Sequence, residues 1–150
     1  MKLTRYPDYS LRALMYLAAN QERRVTVSEI AQHHRISRNH IVKVVHQLGV
    51  LGYVMTLRGK HGGVTLARPA TEILVGQVVQ DMEPGMALVE CLEGNSDCIL
   101  TPQCRLKDSI RQATAAFLAT LNSVSLNDLV NSPTLVSLRD PLILDSDQAQ

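Results

Sequence analysis

The sequence predicts a mainly α-helical fold with one small β-hairpin. Apolar residues recur at helical spacing in several segments, and two short β-favouring runs flank a glycine-rich loop. A third observation is an amphipathic segment of about 20 residues in the C-terminal half. The 150 residues are enough for one domain with a core, or for one domain and a short accessory part.

Three helices are predicted before the hairpin. The first covers residues 8–19, the second residues 26–34 with Thr26 and Ser28 as candidate N-caps, and the third runs from Arg38 until Gly52 stops it. Their apolar faces consist of Leu11, Leu14, Met15 and Ala18, then Ile30 and Ala31, then Ile41, Val44, Val45 and Leu48.

The β-favouring runs are residues 53–56 and 64–66, and the loop between them contains Arg58, Lys60, His61 and three glycines. Helix, tight turn, helix and two-stranded wing is the order of a winged helix-turn-helix. We place the helix-turn-helix at about residues 27–49 and the wing at about 53–66, within a DNA-binding domain of residues 1–70.

The second half is predicted to bind a cofactor and to dimerise. Residues 71–83 form another helix, an aperiodic stretch runs to Cys104, and residues 105–124 form a helix longer than a small domain needs for itself. Its apolar stripe suggests a partner helix in a symmetric dimer. We therefore expect a cysteine-loop and dimerisation region at 71–132, followed by a weakly ordered tail at 133–150.

Charge divides the chain in the same way. The net charge is +1, but residues 1–70 hold 11 Lys and Arg against 3 Asp and Glu, and residues 71–150 hold 4 against 11. A basic half points to a polyanion, of which nucleic acid is favoured over a membrane surface. No apolar run approaches the roughly 18 residues of a membrane span, and charges interrupt the N-terminus, so we expect a cytoplasmic protein.

Several residues are candidates for DNA contact. The first turn of the third helix offers Ser37, Arg38, Asn39 and His40 to base edges; Arg suits guanine and Asn suits adenine. Lys43 is better placed for a phosphate, and Arg58 and Lys60 on the wing for the minor groove. The alternative for each is a solvated surface charge. His33 and His34 end the second helix, where positive charge is favourable.

Cys91, Cys98 and Cys104 lie in the aperiodic stretch, among polar neighbours rather than at periodic core positions. Their wide spacing favours an iron–sulfur cluster with a fourth ligand from elsewhere. A structural zinc site, a thiol redox switch and buried thiols remain alternatives. A metal- or redox-dependent enzyme is less favoured, because the acidic half contains no histidine and no evident acid–base pair.

The sequence resembles the iron–sulfur winged-helix regulators, specifically the NsrR group of nitric-oxide-sensing repressors within the family that also contains IscR. The resemblance covers about residues 1–132. It rests on KLTRYPDYSLRALMYL at 2–17, SRNHIVKVVHQL at 37–48, GYVMTLRGKHGGVTL at 52–66, and the three cysteines ahead of RLKDSI. It implies a homodimer that binds a palindromic operator in double-stranded DNA, and a cluster whose reaction with nitric oxide releases the DNA and derepresses detoxification genes.

The same resemblance implies a ligand set. The cluster cysteines fall on Cys91, Cys98 and Cys104, and a carboxylate from the other subunit falls on Asp8, whose alternative role is a helix-start carboxylate paired with Arg12. Lys107 stands where the IscR-like branch has a histidine ligand. This favours one [4Fe-4S] cluster per subunit over [2Fe-2S], with an IscR-like, redox-responsive or zinc/thiol-based regulator as the alternative.

Overall fold

The computed structural model describes residues 3–92, 94, 97–100, 103–131 and 133–139. Its helices are α1 (Arg5–Ala19), α2 (Val27–His34), α3 (Arg38–Val50), α4 (Val75–Met82), α5 (Arg105–Asn122), α6 (Leu126–Leu129) and α7 (Pro133–Arg139). The strands β1 (Val54–Leu57) and β2 (Gly63–Leu66) lie between α3 and α4, and short 3-10 turns occur at Ala70–Glu72 and Glu90–Leu92. This mainly helical fold with a two-stranded wing confirms the predicted fold class.

Helix α1 is the centre of the core, because it packs against α2, α3, α4, α6, α7 and β2. Its buried side chains meet the apolar faces predicted for α2 and α3. The wing is an antiparallel pair in which Val54 faces Leu66 and Leu57 faces Gly63. Val25 and Val64 exchange two backbone hydrogen bonds, of 3.2 and 2.7 Å, and so attach β2 to the segment before α2.

Helix α1 begins at Arg5, three residues before its predicted start, and two later helices are shorter than predicted for a tertiary reason. The helix predicted at 71–83 is a 3-10 turn and then α4, separated by extended backbone, and the one predicted at 105–124 ends at Asn122. Leu126 donates its backbone N–H to Ile73 (2.7 Å), and Val75 donates to Val124 (3.0 Å). The backbone on either side of these contacts cannot continue as helix, because its hydrogen bonds go to a distant segment.

Residues 133–139 correct the expectation of a weakly ordered tail. They form α7, which packs on α1 and buries Leu138 to 6% exposure. Arg139 donates from Nε to the carbonyl of Ala19 (2.7 Å), and Asn20 donates from Nδ2 to the carbonyl of Leu138 (3.3 Å). The rest of the predicted tail, 140–150, lies outside the described residues.

None of the helices in the described part of the chain has the length and apolar character needed to cross a membrane. The division between residues 1–70 and 71–132 remains a prediction. In the structure α1 also contacts α4 and α6, so the two parts share one core.

Candidate DNA-binding face and cysteine loop

The turn between α2 and α3 has the geometry of a helix-turn-helix. Thr26 caps α2 by accepting the N–H of Glu29 at Oγ1 (3.1 Å), as its sequence position predicts. Arg35 ends α2 in the left-handed region, with φ of +54°, which reverses the chain within a few residues. Ile36 donates its N–H to the carbonyl of Ala31 (2.9 Å), and Ser37 then caps α3.

The five candidate residues of α3 are all exposed, but three also have intramolecular partners. The hydroxyl of Ser37 accepts from the His40 N–H (3.3 Å) and contacts His40 Nδ1 at 2.9 Å. Arg38 donates from Nε to the hydroxyl of Ser28 (3.0 Å). The structure thus gives Ser37 a capping role and leaves Asn39 and Lys43 directed to solvent; base contact by any of the five remains a prediction.

The wing exposes Arg58 and Lys60 at its tip. A tight turn forms the tip: Gly62 donates its N–H to the carbonyl of Gly59 (3.0 Å), and a Cβ on Gly62 would collide with the Leu57 carbonyl oxygen. Sequence reasoning missed Arg24, whose Nη1 donates to the carbonyl of His61 (3.0 Å) and holds the wing against the body. The sequence feature that could have indicated Arg24 is the pair of basic residues, Arg23 and Arg24, just before α2.

His33 and His34 do not supply the positive charge predicted for the end of α2. Burial lowers the pKa of both, and for His34, beside His33, to about 4. The ring of His33 lies 4.6 Å from that of Tyr16, and Nε2 of His34 is 3.1 Å from the Arg12 carbonyl. The two rings pack α2 onto α1 in the neutral state, because the charged form would lose its hydration.

A hydrogen-bonded network absent from the sequence prediction also joins α1 to α2. Glu29 accepts from the Tyr16 hydroxyl (2.8 Å) and forms an ion pair with Arg23. The hydrogen bond from Arg23 lowers the pKa of Glu29, with Tyr16 and the backbone at Thr26 acting in the same direction. Glu29 therefore remains ionised in the fold and braces the helix that precedes the recognition helix.

The three cysteines occupy the segment between α4 and α5. Cys91 is half-buried in the 3-10 turn Glu90–Leu92, Cys98 is exposed, and Cys104 is half-buried at the N-cap of α5. The Cys104 Sγ accepts the backbone N–H of Lys107 (3.5 Å). An open cavity of about 620 Å³ adjoins Cys104, lined also by Ile99, Leu100, Gln103 and Arg105.

Among the described residues, no group of three or more His, Cys, Asp or Glu side chains is placed to hold a metal ion. The donor chemistry still fits an iron–sulfur cluster, since thiolates are its usual ligands and a backbone N–H points at one of them. Asp8 is exposed in the first turn of α1, and its Oδ1 accepts from Arg12 Nε (3.0 Å). Within one chain the structure thus shows the helix-start role that was the alternative for Asp8.

Helix α5 packs on α4 along one side only, and none of its residues is fully buried. Its predicted apolar stripe remains accessible: Leu106 is 66% exposed, and Ile110, Phe117 and Leu121 are half-buried. A helix of 18 residues with a partly exposed apolar stripe has a surface available for another helix.

The chain has the features of a winged helix-turn-helix DNA-binding regulator: the first turn of α3 is exposed, the wing is basic, and α2 is held in place by Glu29. These features are joined to a cysteine loop and a long helix. The sequence matches the family Rrf2, described as "Iron-dependent Transcriptional regulator", over residues 3–132. The chain belongs to the Rrf2 family.

Relatives agree with this assignment. The chain is 45% identical over 132 residues to an "HTH-type transcriptional regulator NsrR" of Shouchella clausii (strain KSM-K16), which covers 87% of this chain and 89% of the relative. A protein of the same name from Geobacillus kaustophilus (strain HTA426) is 42% identical, with 87% and 90% covered. The solved structure "T. potens IscR" has the same fold, with a TM-score of 0.70 at 23% identity, covering 87% of this chain and 86% of that one. These findings confirm a DNA-binding transcriptional regulator rather than an enzyme.

Proposed function

We propose that this protein is a nitric-oxide-responsive transcriptional repressor that binds a palindromic operator as a homodimer and carries one iron–sulfur cluster per subunit. The observation that carries the proposal is the combination, in one chain, of the exposed first turn of α3 with three cysteines that precede α5, a long helix whose apolar stripe is partly exposed. The similarity to two regulators named NsrR supports it. A repressor of this kind works in the cytoplasm, where the chromosome is.

The DNA-binding face has separate parts for bases and for backbone. Asn39 and Arg38 project from the first turn of α3, where an amide suits adenine and a guanidinium suits guanine. Lys43 lies one turn further along α3 and reaches a phosphate. Arg58 and Lys60 at the wing tip meet the minor groove, whose negative potential attracts them. Ser37 and His40 shape and fix this first turn rather than only reading the DNA.

In the cysteine segment, Cys91, Cys98 and Cys104 would hold the cluster, with [4Fe-4S] favoured, and Asp8 of the partner would be the fourth ligand. When bound, the cluster supplies iron that reacts with nitric oxide, most readily at a site with a weak oxygen ligand. The chain contributes the N-terminus of α5, where the Lys107 N–H donates to Cys104 Sγ and orients it. Asp8 must give up its ion pair with Arg12 before its carboxylate can serve as a cluster ligand.

Dimerisation through the stripe on α5 would bring two recognition helices to one face of the DNA. Half-sites one helical turn apart, about 34–36 Å, tolerate little error in that separation. The acidic half carries the charge that repels phosphates, so we place it away from the duplex.

The test is anaerobic purification, followed by an absorption spectrum, iron and sulfide analysis, and DNA binding before and after nitric oxide is added. Genomic fragments selected by the iron-loaded protein supply the operator. We expect a coloured dimer that binds this DNA tightly and releases it on nitrosylation. Equal binding by iron-loaded and metal-free protein would refute the proposal. A colourless protein with stoichiometric zinc would indicate a zinc-stabilised regulator instead.

A further inference from the structure

The last turn of α4 contacts the DNA-binding half at two separate points. Asp81 accepts a hydrogen bond at Oδ2 from the hydroxyl of Tyr53 (2.6 Å). Two residues further on, Glu83 accepts at Oε2 from both the backbone N–H (2.7 Å) and the hydroxyl (3.0 Å) of Thr4. The cysteine segment starts immediately after these residues, with Pro84 and Gly85.

Tyr53 connects the first contact to the recognition helix and the wing together. It is fully buried, its N–H donates to the Leu48 carbonyl of α3 (2.9 Å), and its carbonyl accepts from Ala67 beyond β2 (2.9 Å). The guanidinium of Arg68 covers its ring at 4.3 Å. Burial, with the hydrogen bond to Asp81, raises the pKa of Tyr53, so its hydroxyl keeps its proton as a donor.

Thr4 connects the second contact to the start of α1. It is the N-cap of α1, yet its own side chain makes no cap, so Glu83 supplies the carboxylate that satisfies this helix end. Tyr9 is the fifth residue of α1, and its ring lies 5.9 Å from that of His40, in the first turn of α3. A shift of the α1 start therefore reaches the surface proposed to read bases.

The two contacts are rigidly linked to each other. Met82 lies between them and is buried in the core at 2% exposure. An open groove of about 400 Å³ adjoins the turn, lined by Thr4, Tyr6, Gln47, Asp81, Met82 and Pro84. Buried side chains such as Val78 and Met82 pack α4 into the core, and on the side of the groove the hydrogen bonds of Asp81 and Glu83 add polar attachments to the wing and to the start of α1.

We propose that Asp81 and Glu83 are positioning residues that convey the state of the cysteine segment to the wing and to the first turn of α3. This inference rests on the proposed function. It assigns no DNA or cluster contact to either carboxylate. Each acts through its partner, Asp81 through Tyr53 and Glu83 through Thr4.

The test uses Tyr53→Phe and Glu83→Ala in the full chain, with Glu72→Ala as the control that removes the same carboxylate at an exposed position. The measured quantity is the ratio of operator affinities of iron-loaded and metal-free protein. Each anchor variant should reduce this ratio roughly 3- to 10-fold, as expected for loss of one hydrogen bond of Tyr53 or the two that Glu83 accepts, and the control should keep it. Hydrogen exchange on the metal-free protein gives a second readout, with faster exchange at β1 and the α3 start.

A wild-type ratio of one would refute the proposed function itself. A large wild-type ratio that persists in both anchor variants, with unchanged hydrogen exchange, would overturn only the positioning role. If Tyr53→Phe fails to fold, Asp81→Ala removes the same hydrogen bond by changing its exposed partner. The affinity ratio of that variant then tests the positioning role.

Discussion

Replacing Gly76 by alanine tests how closely α4 and α5 are packed. A Cβ at this position would lie 2.7 Å from the carbonyl oxygen of Leu118 and 2.6 Å from Oδ1 of Asn122. Cβ atoms in proteins essentially never make contacts shorter than 3.0 Å. The Asn122 side chain can rotate, but the Leu118 carbonyl belongs to the α5 backbone. The two helices must therefore move apart by several tenths of an ångström.

The expected cost follows from two opposing effects. Overpacking of a well-packed contact costs about 1–3 kcal/mol, and replacing glycine within a helix returns at most about 1 kcal/mol. We expect a net loss near 1–2 kcal/mol in the free energy of unfolding. For a chain of this size, that corresponds to a fall in Tm of roughly 2–8 °C.

Gly49→Ala in α3 is the matched control. The nearest atom to a Cβ there is the Val54 carbonyl oxygen at 3.9 Å, an ordinary contact, so this variant should be as stable as the wild type or slightly more stable. Urea unfolding and thermal scans on the metal-free protein measure both. If Gly76→Ala is as stable as Gly49→Ala, the close approach of α4 and α5 is wrong.

Three further perturbations have defined outcomes. Burial lowers the folded-state pKa of His34 to about 4, so the unfolded chain binds more protons than the folded chain between about pH 6.5 and 4. The free energy of unfolding should therefore fall as the pH falls through that window. His34→Gln should flatten the plot of Tm against pH, and an unchanged slope would contradict the lowered pKa. Leu138→Ala should cost about 2–3 kcal/mol in urea unfolding, since Leu138 is buried against α1, whereas the exposed neighbour Val136→Ala should cost little. Lys43→Ala should weaken binding to every DNA sequence alike and lower the slope of log affinity against log salt by about 1; a loss confined to one sequence would instead indicate base contact.

The order of elements was predictable from local sequence. Thr26 and Ser37 are good N-caps, and the apolar residues of α1 to α3 repeat at helical spacing, so each element is specified by residues within a few positions of it. The same holds for the glycine-rich wing. The cysteine trio was also visible, because three thiols among polar residues do not fit a periodic core.

Elements that depend on distant contacts were not predictable in this way. Helix α7 has only a short amphipathic pattern and is stabilised by α1, and the break before α4 exists because Ile73 pairs with Leu126. The neutral state of His34 likewise depends on its burial against α1. The residues around His34 in the sequence do not indicate this burial.

The sequence alone therefore determined a winged helix-turn-helix, a basic face and a set of three thiols, because caps, periodicity and charge act over short distances along the chain. Only the tertiary structure decided that Arg38 has a partner within the protein, the hydroxyl of Ser28 in the preceding helix. It alone brought Asp81 and Glu83 to Tyr53 and Thr4. Such contacts join residues up to 79 positions apart, so they depend on how the helices pack.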